Sequence, residues 1–359
     1  MALIELEEFQ GPQFLGFVRN IAPPAPFIAN RWLPDRTVFD LEVEYIKAAQ
    51  NRTVMAEVLG WDSEAPISPR PGLGERVRHE LPPIKRKARI SEKEIIRFLT
   101  PRAGVPDRQA AIDAVYDDAA RLVEGIHARV EWMRMQALSE DTLSYSEGGV
   151  TFQFDYGIDP DFQFDVGNDA ELSTWWDDTQ NAEPITDLQK MLSVYNDKHG
   201  FQWTTLVISR KVIPYLLQNK HAHALMFGTG AGVPQRQLTL AEFNSLLAQY
   251  GLPSITTYDA VVYQENEDGS ISAHRPLDPK KGVLLPEGQV HIGNTLWGPT
   301  AESRSLIGTS LASQAPGIFP IAYAKEDPPS EWIKVSAVAF PSMPGADHIG
   351  QVQLLNPSP

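Results

Sequence analysis

A long amphipathic helix is predicted between Pro106 and about Ser139. Its apolar side chains recur every three or four residues, at Ile112, Val115, Ala119, Leu122, Ile126, Val130, Met133 and Ala137. This spacing places them on one face of a helix, and proline suits the first helical turn. At ~1.5 Å per residue the helix would be a rod of roughly 50 Å, far above the average length. The core must therefore form along this rod, and Gly125, which costs a helix about 1 kcal/mol, is predicted to mark a bend.

Two blocks of opposite charge flank this helix. Between Arg70 and Arg97 nine Lys and Arg residues accompany four Glu residues. From Glu140 to Asp197 the sign reverses, because fourteen acids accompany one base, Lys190. A rigid rod keeps the two blocks from neutralising each other within one molecule. The pattern therefore indicates copies that dock on one another.

Composition narrows the possible functions. Of 359 residues, 42% are hydrophobic and 21% charged, an ordinary balance for a globular chain of two or three domains. The net charge of -15 argues against a freely exposed nucleic-acid binder. The absence of cysteine excludes disulfides and thiolate chemistry and fits a reducing cytoplasm. The acidic start is unlike a secretory signal, and no apolar run reaches the roughly 18 residues of a membrane span, so a soluble, unexported protein is expected.

The first half of the chain contains several extended segments. Residues 1–50 are rich in proline and large apolar side chains without a long period, which is typical of an arm that lies on another surface. Alternating residues at 53–59 and 75–90 predict a long two-stranded excursion, which needs a neighbour because it carries little core of its own. Alternation at 152–156 and 162–166 predicts a hairpin whose aromatic face packs on the rod.

From residue 184 the pattern becomes α/β. The signals in chain order are a helix after Pro184 closed by Gly200, a strand at 204–208, a capping box of Thr239 and Glu242, and a hairpin turning at Asp268-Gly269. Strand-like segments at 332–340 and 350–355 follow Asp327-Pro328-Pro329, which is expected to separate them from this domain. The chain is therefore expected to finish in the domain of the rod.

Motifs that resemble metal or phosphate sites are weak. His221 and His223 lie near a helix end, where residues two apart diverge. The carboxylates from Asp159 onward suggest calcium, but an EF-hand would place Phe164 where glycine is required, so a solvated or partner-facing loop is favoured. The glycines at 228–232 lack the Lys-Ser/Thr of a phosphate loop. No catalytic residue, cofactor or metal is predicted.

Two further features have structural interpretations. Trp297 is interpreted as a buried anchor beside a turn. The basic run 85–89 is compatible with nucleic acid, but it lacks the aromatic residues that stack on bases. A basic strand edge that meets an acidic neighbour explains the run equally well.

The order of these segments resembles the major capsid protein E family of tailed double-stranded DNA phages, the lambda-like group with the HK97 capsid fold. The resemblance covers essentially the whole chain, and its more specific stretches are 131–138, 252–259, 293–302 and 332–347. None of these is a catalytic signature, so their order carries the resemblance.

The resemblance implies an α+β fold in five parts. These are an N-terminal arm (1–50), an E-loop formed by an extended β-hairpin (51–95), a P-domain (96–185) with a spine helix at about 106–139, an A-domain (186–325) and return strands of the P-domain (326–359). It also implies a non-enzymatic subunit whose hexamers and pentamers form an icosahedral virion capsid around double-stranded DNA. Assembly in the bacterial host cytoplasm is implied, with a scaffolding protein, a portal and a decoration protein as partners, no sequence-specific DNA binding and no membrane contact.

Charge and resemblance together predict contacts between copies. The basic E-loop would lie over the acidic region 155–187 of a neighbouring subunit, and a near-neutral or acidic inner surface would let packaged DNA slide. The candidate contact residues are Arg76, Arg78, Lys85, Arg86, Lys87, Arg89, Asp155, Asp159, Asp161, Asp165, Asp177 and Asp178.

Two alternatives stay open at this point. An encapsulin-like compartment shell shares the fold and differs in enclosing enzyme cargo. A cytoplasmic hydrolase using the carboxylates of 155–187 would be a monomer or small oligomer, and substitutions there would abolish turnover without changing its size.

Overall fold

The structure is a computed structural model that describes residues 12–46, 76–99, 108–147, 150–200, 202–229, 238–266, 268–286, 288, 290–305 and 317–357. Its helices are α1 (Pro12–Asn20), α2 (Glu92–Leu99), α3 (Arg108–Ser139), α4 (Pro184–His199), α5 (Ile213–Leu217), α6 (Lys220–Phe227), α7 (Leu240–Gln249) and α8 (Ala301–Ser305). Short 3-10 turns lie at Ala29–Arg31, Pro160–Phe162 and Ala346–His348.

The strands of the described residues complete the element order. They are β1 (Asp35–Thr37), β2 (Glu42–Ile46), β3 (Arg76–Glu80), β4 (Pro83–Ile90), β5 (Thr142–Glu147), β6 (Val150–Asp155), β7 (Gln163–Asp165), β8 (Thr205–Ile208), β9 (Ser254–Thr257), β10 (Val262–Glu265), β11 (Ile271–His274), β12 (Lys281–Leu285), β13 (Asn294–Gly298), β14 (Phe319–Lys325), β15 (Ser330–Ser342) and β16 (Gly350–Gln353).

The predicted long helix is confirmed as α3, which continues without interruption through Gly125. Its apolar stripe is buried, as the spacing requires. A Cβ added at Gly125 would lie 2.6 Å from Nη1 of Arg86, so the glycine leaves room for a side chain that crosses the helix. This close approach, and not a break in the helix, accounts for the glycine that is predicted to mark a bend.

A five-stranded sheet, here called the spine sheet, packs on α3. Its central strand β15 pairs antiparallel with β4 along one edge and with β14 and β13 along the other, and β1 joins β13 in parallel. Ile333, Val335 and Ala337 alternate toward the helix and share a buried cluster with its stripe. The side chains between them therefore lie on the opposite face of the sheet.

A second five-stranded sheet has the order β7-β16-β12-β8-β9 and is buried on both faces. Leu206 and Ile208 of β8 share one buried cluster with residues of α4 and α7. Val207, between them, shares another with Met133 and Leu138 of α3. The C-terminal half of the long helix thus lies between the two sheets and joins their cores. Among the described residues, no helix is long and apolar enough to cross a membrane.

Several local predictions from the second half of the chain are confirmed. Gly200 ends α4 with φ 77°, a conformation that glycine adopts readily. Thr239 and Glu242 form the predicted capping box at the start of α7. β10 and β11 pair as a hairpin. Trp297 is 7% exposed on β13 and donates to Asp35 Oδ1 at 2.6 Å, which confirms the buried anchor.

The predicted return strand at 75–90 is divided into two strands in different sheets. β3 pairs with β2, whereas β4 pairs with β15 of the spine sheet. The division has a packing reason, because Ile84, Ala88 and Ile90 of β4 pack against the α3 cluster. The outgoing segment predicted at 53–59 lies outside the described residues.

The predicted pairing of 152–156 with 162–166 is wrong. β6 pairs antiparallel with β5, which precedes it, and β7 pairs in parallel with β16 in the second sheet. The two aromatic groups separate because they fill different cores. Phe154 packs edge-on against Phe340 of β15, and Phe162 packs edge-on against Tyr195 of α4.

The last segments do not separate as predicted either. β13 and β14 precede Asp327-Pro328-Pro329 and already belong to the spine sheet, so these prolines lie in the turn between β14 and β15. β16 then joins the second sheet, where Val352 enters the α4 and α7 core. The chain therefore crosses between the two sheets repeatedly, and the domain limits given above stay predictions.

Candidate inter-subunit surfaces

The spine sheet presents a basic face on the side away from α3. Alternation along β4 turns Ile84 and Ala88 toward the helix, so Lys85, Lys87 and Arg89 lie on the other side. Register places these bases opposite Ser336, Lys334 and Trp332 of β15, with β14 beyond. We call this surface the basic sheet face and define it by Lys85, Lys87, Arg89, Tyr323, Lys325, Trp332 and Lys334.

One carboxylate neutralises part of this face. Lys334 forms an ion pair with Glu302 of α8, and the Lys85 Nζ lies 4.0 Å from the same carboxylate. Burial acts to raise the pKa of Glu302, but hydrogen bonds from Lys334, the backbone and Ser336 together outweigh it, and the pKa is lowered. Glu302 is therefore ionised at neutral pH and is shared by two lysines.

Three further cations lie close to the ring of Trp332. The Lys87 Nζ lies 4.7 Å from its ring centroid, and the Arg89 Cζ and the Lys325 Nζ each lie 5.8 Å from it. Tyr323 stacks beside the ring at 6.4 Å between centroids. Within the described part of the chain, none of these three cations forms an ion pair with a carboxylate. We call Lys87, Arg89, Lys325 and Trp332 the Trp332 cluster.

The other predicted contact bases are engaged within the subunit. Arg86 crosses α3 at Gly125 and reaches Glu265 of β10 at 3.7 Å. Arg78 of β3 pairs with Glu42 of β2. Arg76 lies opposite Ile46 at the end of this hairpin, and its side chain is outside the described part. Of the predicted bases, Lys87 and Arg89 are thus left with an aromatic ring as their neighbour.

In the acidic segment, one lysine binds two of the predicted acids. Lys198 Nζ pairs with Asp159 and lies 2.9 Å from Asp161 Oδ2. Burial acts to raise the pKa of Asp159. Hydrogen bonds from Lys198 and the Asp161 amide together lower it by more, so the net shift is downward. The ammonium group lies where the calcium interpretation needs a metal. Among the described residues, no three metal-ligating side chains group together.

The remaining predicted acids mainly hold local turns. Asp155 accepts from the Gly157 amide at 2.6 Å, and Asp165 accepts from Asn168 Nδ2 at 2.8 Å. Asp178 accepts from the amides of Gln180 and Asn181 at 3.1 and 3.2 Å. Asp177 is exposed next to it, and the Asp161 side chain is 66% exposed. Asp161 and Asp177 are therefore predicted acids that remain exposed.

Sequence reasoning missed a buried polar network that holds the N-terminal segment on α3. Glu131 is 1% exposed and accepts from the amides of Ile28 and Ala29 at 2.9 and 3.1 Å and from the Tyr258 hydroxyl at 3.2 Å. Arg134 donates to Thr295 Oγ1 at 2.7 Å. Burial raises the pKa of Glu131 in spite of these donors. The available signal was a polar pair three residues apart, Glu131 and Arg134, directly beside the apolar stripe of the helix.

A second surface that sequence reasoning missed is apolar. Tyr263 of β10 and Ile271 of β11 are 69% and 72% exposed and lie on the same face of their hairpin. Tyr263 also borders a groove whose other walls include Trp132 of α3 and the outer edge of β4. Large side chains exposed in this way are common where proteins meet.

Comparison with known proteins gives one family and one fold. A sequence profile described as phage major capsid protein E matches residues 13–352. A protein described as a prophage capsid protein from Escherichia coli CFT073 has TM-score 0.61 at 14% identity, over 95% of this chain and 98% of that one. A phage-related protein from Bordetella bronchiseptica RB50 has TM-score 0.57 at 13% identity, over 96% of each chain. No curated protein sequence matches.

Proposed function

This chain belongs to the phage major capsid protein E family, and from that premise we propose that its hexamers and pentamers close into an icosahedral shell around double-stranded DNA. The chain is a structural protein of the virion capsid with the HK97-type α+β fold. The observation that carries the proposal is the family match over residues 13–352, nearly the whole chain. A net charge of -15 supports it, because an acidic wall lets packaged DNA slide.

The proposal includes partners and a place of assembly. A scaffolding protein would set the curvature, a portal would occupy one vertex and a decoration protein would bind the finished shell. Assembly would take place in the host cytoplasm, which the absence of cysteine fits. The DNA would be enclosed without sequence-specific contacts.

The proposed contact between copies joins the basic strands β3 and β4 to the acidic region 155–187 of a neighbour. Two observations support it. Lys87 and Arg89 are left without an acid inside the described subunit, and Asp161 and Asp177 are exposed in the acidic region. The pairing of Ile46 with Arg76 also supports an E-loop, because it brings together the two strands that flank residues 47–75 in the sequence.

The other interpretations lose their basis. Most of the carboxylates proposed for a hydrolase cap turns or bind Lys198, and Asp187 accepts three hydrogen bonds from Ser173 and Trp176 of its own subunit. A compartment shell shares the fold, but the profile that matches the chain is that of a phage capsid family.

The proposal is tested by assembly of the purified protein, alone and with its scaffolding protein. Size-exclusion chromatography followed by negative-stain electron microscopy should show closed shells containing six-fold and five-fold units. The double variant Lys87→Glu/Arg89→Glu should remain as folded, unassembled subunits. A wild-type chain that stays monomeric with scaffold at all salt concentrations would contradict the proposal, and normal shells from the double variant would contradict the basic contact.

A further inference from the structure

The Trp332 cluster concentrates like charge that the described residues of its own subunit do not balance. Three cations lie within 5.8 Å of one indole ring, and Lys87 also faces Lys334 directly across the strands. Like charges at directly opposed positions destabilise a sheet. The nearby carboxylate Glu302 is already shared by Lys85 and Lys334. A ligand that brings negative charge to Trp332 would relieve this repulsion.

The chemistry of the cluster favours a protein ligand. Trp, Tyr and Arg are the residues that dominate binding energy at protein interfaces, and this face combines Trp332, Tyr323 and Arg89. Double-stranded DNA offers phosphates to cations, but its stacked bases give an indole ring nothing to bind. The net charge of -15 also repels DNA from the subunit as a whole.

We infer that the Trp332 cluster is the anchor of the inter-subunit contact and binds carboxylates of the acidic segment, residues 140–197, of a second copy of this chain. The inference rests on the proposed function and deepens it. It adds Lys325 and Trp332 to the contact, and it removes Arg78 and Arg86, whose partners are in their own subunit. Charge complementarity supports the second copy as the ligand, because this segment carries fourteen acids and one base.

Neutralising the cluster tests the inference. The triple variant Lys87→Gln/Arg89→Gln/Lys325→Gln removes three positive charges, and Arg36→Gln/Lys211→Gln/Lys220→Gln removes three exposed ones elsewhere as a matched control. At about 0.1 M salt the cluster variant should lose about tenfold in assembled fraction, while the control assembles like wild type. Added salt should weaken wild-type assembly and leave the cluster variant almost unchanged. Thermal melting should show all three chains equally folded.

Cross-linking identifies the ligand of the cluster. Shells formed from equal amounts of ¹⁴N- and ¹⁵N-labelled chains are treated with a carbodiimide, which joins a lysine amine to a carboxylate as an amide and takes up the water released. Mass spectrometry should find Lys87 or Lys325 joined to an Asp or Glu of residues 140–197, with mixed isotopes that prove two copies. Links from these lysines only to other segments would overturn the inference.

The remaining outcomes separate the inference from the proposed function. If wild type assembles and the cluster variant assembles equally well, the inference fails and the proposed function stands. If the variant forms normal shells that no longer retain double-stranded DNA, the face is a DNA contact and the inference is overturned. If wild type and control never assemble, even with scaffold, the proposed function fails and the inference fails with it.

Discussion

The acidic segment and the basic sheet face each concentrate one sign of charge but differ as surfaces. In the acidic segment, carboxylates accept hydrogen bonds from amides two or three residues away or bind Lys198. On the basic sheet face, Lys87, Arg89 and Lys325 surround Trp332 without an ion pair in the described residues. The acidic segment mainly folds its own loops, whereas the basic sheet face keeps three cations without a carboxylate among the described residues.

Side-chain length explains the difference. Asp has a short side chain that reaches amides close in sequence, so Asp-rich segments fold into turns. Lys and Arg on a strand extend several ångströms from the backbone and reach past their own sheet. A charge pattern therefore predicts a contact surface better when it is made of long side chains on a strand than of short ones in a loop.

The largest expected effect on the free energy of unfolding follows from removing the carboxylate of Asp187. Its carboxylate is fully buried and accepts from the Ser173 amide at 2.8 Å, the Ser173 hydroxyl at 2.6 Å and Trp176 Nε1 at 3.0 Å. Asp187→Ala leaves these donors unsatisfied and should lower the free energy of unfolding by about 3 kcal/mol in urea titrations. The matched control is Asp177→Ala, at an exposed position, which should change it by less than about 0.5 kcal/mol. Equal changes for Asp187→Ala and Asp177→Ala would mean that hydrogen bonds to its own carboxylates do not stabilise the acidic segment.

Buried histidines and the Asp159–Lys198 pair are expected to affect stability in different pH ranges. Burial lowers the pKa of His79 and of His348 to about 4, and nearby His199 lowers the pKa of His348 further in the same direction. The ordinary value is ~6.5, so between pH 6.5 and 4 the unfolded chain binds protons that the folded chain does not. The free energy of unfolding should therefore fall steadily as the pH is lowered from 6.5 to 4.

The ion pair of Asp159 with Lys198 should respond only at lower pH. Because the pKa of Asp159 is lowered, its pair with Lys198 persists until the pH falls below the ordinary value of an aspartate. His348→Gln should reduce the loss of stability between pH 6.5 and 4 and leave the loss at lower pH unchanged. Urea midpoints measured from pH 7 to 3 check both parts. An unchanged slope in this variant would remove His348 as the cause.

A smaller effect is expected at Lys198. Lys198→Met removes the ammonium that binds Asp159 and Asp161, and it should lower the free energy of unfolding by about 1 kcal/mol. Because both acids lose a local cation, shell assembly should persist or improve if the neighbour binds them. Urea titration and chromatography of the same samples check the two effects, and a loss of assembly with normal stability would show that Lys198 itself contacts the neighbour.

Sequence reasoning succeeded where the signal was local. The spine helix, the Thr239–Glu242 capping box and the β10–β11 hairpin depend on residues within a few positions of each other. It failed where pairing depends on distant partners. β4 could pair with β3 or β15, and only the fit of Ile84, Ala88 and Ile90 against α3 decides between them.

The candidate surface was predicted in part for the same reason. The run 85–89 identified Lys87 and Arg89, but Lys325 and Trp332 join them only because β14 and β15 lie beside β4. Arg86 is next to Lys87 in the sequence, yet strand alternation places it on the other face, across α3. A block of charge in a strand therefore includes residues whose side chains lie on the opposite face, and these do not belong to the predicted surface.

The smallest expected effect is that of Gly125→Ala, which tests whether Arg86 acts independently of the basic sheet face. Gly125→Ala gains roughly 1 kcal/mol of helix propensity, but its Cβ would lie 2.6 Å from Nη1 and 2.9 Å from Cδ of Arg86. The flexible side chain should move and lose its partly exposed pair with Glu265, which is worth about 0.5 kcal/mol. Urea titration should therefore show a net gain below about 1 kcal/mol, with assembly unchanged because Lys87, Arg89 and Lys325 are undisturbed. A stable variant that assembles poorly would place Arg86 in the contact and would contradict the division between the two faces of β4.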